Sequence, residues 1–219
     1  MPSTPRIAPW AWTGPAAVVT LWTTVATGMA VTGLGFLDDR PVSYLGTDGR
    51  TVLLFQAGLL SAAALLVAFT FSVRTVFPAP PSFVVASLLG LGGQAVAAVV
   101  PLSGPGASPT LHLAGGLLLG ISLPVLMWRF ASGQPPGRWR ATAYRLFWLE
   151  AAACVAGVVL SRSGLATLAE IFPAVAFHLW IATVALVASR RSSETFGNRL
   201  LSALPPKEVL RGDELPGGR

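Results

Sequence analysis

Six polar side chains stand inside stretches that are otherwise apolar, and they are the residues best able to do chemistry: Gln56, Gln94, His112, Glu150, Glu170 and His178. Ionisable groups in such surroundings are costly, and they ordinarily line ion, proton or substrate paths or pair with one another. Two carboxyls and two imidazoles are enough for general acid–base work. They are a weaker set of metal ligands, because no HxxxH or CxxC spacing occurs and Cys154 is the single cysteine. The two histidines fall at different depths, which argues against paired haem ligation, so neither a metal nor another cofactor is expected.

Depth along the apolar runs sorts the set. Gln56, Gln94 and Glu170 each lie on the order of 10 Å below one surface, at 1.5 Å per helical residue. His112 opens its run near that surface, and Asp48, just before another run, is placed to cap the group from above. Glu150 falls about 10 Å from the opposite end of its run, on one face with Ala151 and Cys154, and His178 is within vertical reach of it. A neutral or paired carboxyl is expected there, and Arg145, His178 or His112 are the partners open to Glu150 and Glu170, because an isolated buried charge is costly. For Gln56 and Gln94 the simpler role is hydrogen bonding between helices.

The elements that must position these residues are six apolar runs, at about residues 14–36, 51–73, 82–100, 111–131, 143–160 and 165–189. Each is long enough to cross a hydrocarbon layer of about 30 Å as a helix. The composition agrees: 53% hydrophobic and 11% charged, with mean hydropathy +0.66. Ordinary soluble domains carry roughly 25% charged residues. The fold class is therefore an all-α, six-helix transmembrane bundle, with residues 1–13 preceding it and residues 190–219 following as a partly disordered tail.

The net charge of +6 belongs to the loops. With the N-terminus cytoplasmic, 12 of the 15 cations fall inside, leaving Arg40, Arg50 and Arg162 outside. That places both termini in the cytoplasm and makes the basic segments partners for anionic lipid headgroups rather than for nucleic acid. The bias of Arg over Lys, with abundant Ala and Gly, suggests a high-GC bacterial genome, and a multi-pass location in the cell membrane follows. Small residues mark packing faces: Gly116 and Gly120 on the fourth run, Gly93 and Ala97 on the third, and Ala151, Cys154 and Gly157 or Val158 on the fifth. Packing within one chain is the expected use of the Gly116–Gly120 pair, and the oligomeric state is left open.

Several short motifs carry a resemblance. PVSYLGTD at residues 41–48 followed by LFQAGL at 54–59, and LGGQAVAAVVP at 91–101 leading to LHLAG at 111–115, resemble bacterial six-helix membrane proteins grouped under a domain of unknown function. That group is similar in layout to the eukaryotic damage-regulated autophagy modulator family and its lipid-handling relatives. The resemblance implies six helices and importance for His112 and Glu170. The Pro-rich link 101–109 and the Arg/Pro-rich tail are departures from it.

Two functions of different class follow. One is a non-enzymatic membrane protein with a lipid-binding or membrane-assembly role. The other is an intramembrane terpene or isoprenoid cyclase, with Glu150, Glu170 or Asp48 as proton donor to an apolar isoprenoid. Aromatics such as Trp22, Phe55, Trp148, Phe172, Phe177 and Trp180 would then face the carbocation. A secondary transporter is disfavoured, since no inverted repeat or pair of broken helices is evident.

Overall fold

The computed structural model describes residues 9–104 and 106–203, with side chains described between residues 11 and 191 except residue 105. Six helices account for nearly all of it: α1 Thr13–Thr32, α2 Val52–Val76, α3 Pro81–Val99, α4 Pro109–Gly133, α5 Arg138–Arg162 and α6 Ala166–Ala203. All six are long and apolar enough to cross a membrane. Helices are the form in which such apolar segments can satisfy their own backbone groups without water.

Local sequence sets the ends. Gly33 adopts a left-handed conformation (φ 70°) and returns its N–H to Met29 O, closing α1. Proline opens α3 and α4 at a position whose N–H has no helical acceptor in any case. In α4 the Ser108 hydroxyl also accepts from the Leu111 N–H.

Consecutive helices pack side by side, most extensively α3 with α4, α5 with α6 and α1 with α2, and α6 returns to α1 and α2. Glycine permits the closest approaches. A Cβ added at Gly93 would stand 2.5 Å from Gly115 O, and one at Gly115 would stand 2.8 Å from Gly93 O. At Gly157 an added Cβ would stand 2.7 Å from Ala169 O, the carbonyl that Pro173 leaves without its usual helical donor. The core between the helices is aromatic. The Trp180 ring centroid lies 5.4 Å from Phe130, 5.7 Å from Phe177 and 6.4 Å from both Phe69 and Phe83.

Three details differ from the sequence expectations. α5 begins at Arg138, five residues before the apolar run, because Arg138, Trp139 and Arg140 are competent helix formers that the apolar window omits. α6 runs past residue 189 to Ala203, so the first part of the expected tail is helical, while the end of that tail lies outside the described residues. Among the described residues Gly116 and Gly120 have nothing within 4 Å of an added Cβ, so they do not pack against the described helices; their neighbour Gly115 does.

Candidate functional site

The polar side chains divide into a cluster at one end of the bundle and isolated groups in its middle. The end cluster is organised around a short 3-10 helix, Val42–Gly46, between α1 and α2. Pro41 at its N-cap offers no side-chain acceptor. Glu170, in the second turn of α6, supplies one: Oε2 accepts from Ser43 N at 2.9 Å and Oε1 accepts from the Ser43 hydroxyl at 3.0 Å. A carboxylate at a helix N-terminus satisfies an otherwise open donor and lies at the favourable end of the local dipole.

Neighbouring contacts fasten the same loop. Thr167 donates its hydroxyl to Arg40 O at 2.6 Å and its N–H to Asp38 O at 3.3 Å. His112, buried at the start of α4, closes the α3–α4 loop instead: its Nδ1 lies 2.7 Å from Val100 O, and a carbonyl only accepts, so Nδ1 carries the hydrogen. The imidazole is also within electrostatic reach of the Glu170 carboxylate. Asp48 receives both the backbone N–H and the guanidinium of Arg50, at 2.9 to 3.1 Å. Those contacts hold its carboxyl below the usual aspartate range, and the Arg40 guanidinium does the same, more strongly, for Asp38. Asp48 is thus engaged with Arg50 in the loop instead of capping the intramembrane group.

In the middle of the bundle, Gln94 donates to Leu59 O at 2.8 Å, joining α3 to α2. Trp22 donates its indole N–H to His178 Nδ1 at 2.9 Å, joining α1 to α6. That bond requires the hydrogen of a neutral His178 to be on Nε2. Gln56 is half-buried on α2.

Glu150 is fully buried, and because α5 starts early it lies midway along the helix, about 18 Å from each end. The Cys154 thiol, one turn on, donates to Oε1 at 3.5 Å, while Oε2 has no partner among the described residues. His178, one of the expected partners, is bonded to Trp22. No ion pair joins Glu150 or Glu170 to a cation among the described residues.

The aromatic candidates separate. Trp148 is 66% exposed on the outer face of α5, whereas Phe177 and Trp180 are buried. The latter two line a cavity of about 20 Å³ between α2, α3, α4 and α6, whose wall also includes Ser87, Thr70 and Gln94 but neither glutamate. That space is the size of about one water molecule, and the surface it exposes is almost entirely apolar. Among the described residues no three His, Cys, Asp or Glu side chains converge as metal ligands would.

Sequence reasoning missed Ser43, Ser87 and Thr70. Short hydroxyl side chains in an apolar run are cheap, so type and spacing alone do not raise them above the background.

Fold and site together define an α-helical multi-pass membrane protein whose intramembrane polar groups serve mainly as bonds between elements. No protein-family model, curated protein or solved structure matches the chain.

Proposed function

We propose that the protein is a non-enzymatic membrane-assembly component, surrounded by lipid, that associates with a second copy of itself through α4. The observation that carries this reading is the open glycine pair on that helix. Gly116 and Gly120 have no atom of the described residues within 4 Å of an added Cβ, and Leu113, Leu117 and Ile121 beside them are 57–65% exposed. Small residues four apart allow two helices to approach closely in lipid, where packing rather than water exclusion drives association. The same patch on two copies is self-complementary about a two-fold axis.

Pro124 adds a second reason. It removes the N–H that would bond Gly120 O, leaving a carbonyl on this face without its helical donor. The polar groups support the same choice, since Gln94, His178 and His112 inside the bundle and Glu170 at its surface each bond across elements. The resemblance to the damage-regulated autophagy modulator family points the same way and belongs to this proposal.

The aromatic cluster around Trp180 is what favours the cyclase reading. That reading needs the core to open well beyond a water-sized space and an acid to reach it, and neither Glu150 nor Glu170 lines the cavity.

The proposal is tested by measuring the monomer–dimer equilibrium of fluorescently labelled chains in lipid vesicles, for the wild type and for Gly116→Leu/Gly120→Leu. The expected result is a dissociation constant raised at least tenfold in the variant, equivalent to about 1.4 kcal/mol. A wild type that stays monomeric at high protein-to-lipid ratio overturns it, as does a variant that dimerises equally well.

A further inference from the structure

The end of the bundle away from Glu170 is gathered around one ring, Phe77, the residue that follows α2. Phe77 is buried, and Trp139 in the first turn of α5 stacks on it, with ring centroids 5.6 Å apart and planes 24° apart. The Arg191 guanidinium of α6 stands over the same ring, 4.7 Å from its centroid. Three helices thus meet at a single side chain.

A buried amide fixes the frame. Gln134, in the link between α4 and α5, donates to Pro78 O and Phe130 O, each at 3.0 Å, and accepts the Trp139 indole N–H at 3.1 Å. These bonds hold the α2–α3 link, the end of α4 and the start of α5 together. The residues that flank Phe77 and Trp139 therefore project from a fixed platform rather than from separate loops.

Those flanking residues are arginines. Arg74 lies in the last turn of α2, Arg138 directly precedes Trp139 and Arg190 directly precedes Arg191, and all three are exposed. Arg190 also lies opposite Arg138 across the antiparallel pair α5 and α6, the two being equally far from the turn that joins these helices. No Asp or Glu among the described side chains lies at this end, and the two ion pairs, Asp38 with Arg40 and Asp48 with Arg50, both belong to the other.

The ends of membrane-length helices, marked by Trp139, stand at the depth of lipid headgroups. Basic pockets formed between such helices bind anionic headgroups, and the planar fork of a guanidinium matches the oxygens of a phosphate. We propose that Arg74, Arg138 and Arg190, set around the Phe77–Trp139 stack, form a binding site for the phosphate headgroup of an anionic phospholipid. The site draws its cations from α2, α5 and α6, so a bound headgroup joins three helices that the Gln134 bonds alone do not connect to α6. It lies apart from the glycine pair of α4 and stands independently of association through that helix.

The experiment titrates the full chain in a neutral detergent with phosphatidylglycerol or with phosphatidylcholine and follows bound lipid by native mass spectrometry. Phosphatidylglycerol is expected to bind the wild type about tenfold more tightly than phosphatidylcholine, and added salt is expected to weaken that preference. The triple variant Arg74→Gln/Arg138→Gln/Arg190→Gln should bind the two lipids alike, while Arg162→Gln, at the opposite end, should keep the preference. A wild type that binds both lipids equally overturns the proposal whether or not the triple variant folds. So does a folded triple variant that keeps the preference, or displacement of phosphatidylglycerol by an equal concentration of inorganic phosphate, which would assign the arginines to a soluble anion.

Discussion

Glu170 shows how a costly residue can be explained by what it bonds. Its two carboxylate oxygens hold the backbone and the hydroxyl of Ser43, 127 residues away in sequence. The loop between α1 and α2 is thereby fixed to the start of α6. Replacing Glu170 by Ala is expected to cost about 1 kcal/mol, the usual loss for a cap. Hydrogen exchange should read this as faster exchange at residues 42–46, with the middle of α2 unchanged.

The loop ion pairs have their own pH signature. The Asp38 and Asp48 carboxyls are held below the ordinary range by Arg40 and Arg50. A depressed folded-state value means that the pairs contribute fully above the unfolded value of about 4 and are lost only as pH falls through the lowered one. Protection factors across residues 38–50 should accordingly be the same at pH 7 and pH 5. A decline between those values would contradict the pairing. Sequence type alone identified Glu170 as unexplained but could not name Ser43, because contacts between distant segments leave no local pattern.

At the scale of elements, the six spans were legible because a hydrocarbon-length apolar run bounded by Gly, Pro and charge has few alternatives. Their ends were less so. Arg138 to Thr142 are helical although polar, which moves Glu150 to the middle of α5. The choice of packing glycine was not legible either. Gly93 and Gly115 lie against each other while Gly116 and Gly120 face outward, and one residue of register, about 100° of rotation, separates the two outcomes.

This contrast can be measured. Gly93→Leu forces a side chain into the backbone of α4 and should destabilise the bundle by about 1–3 kcal/mol, as overpacking usually does. Gly116→Leu, with open space around it, should leave thermal stability in detergent unchanged. Equal destabilisation by the two would show that the face of α4 had been misassigned.

For the whole molecule, the balance of polar and apolar groups is what the sequence expressed best and its partners least. A low charge content predicted a membrane protein, and six membrane-length helices are present. Similar depth grouped Gln56, Gln94, Glu170 and His112 in the sequence. In the bundle Gln94 bonds to Leu59 O, apart from the end cluster that holds Glu170 and His112. The reason is geometric, since similar depth on different helices does not make side chains face one another. The open glycine pair lies on the outside, along α4.

Site-directed cross-linking tests that claim most directly. In a Cys154→Ser background, which removes the single native cysteine, one chain carries Leu117→Cys beside the glycine pair and another carries Val158→Cys on the outward face of α5. After treatment with a short bifunctional maleimide in lipid vesicles, the account predicts covalent dimers from the chain bearing the substitution at 117 and only background from the one at 158. Equal dimer yields from both positions, or none from 117, would contradict it.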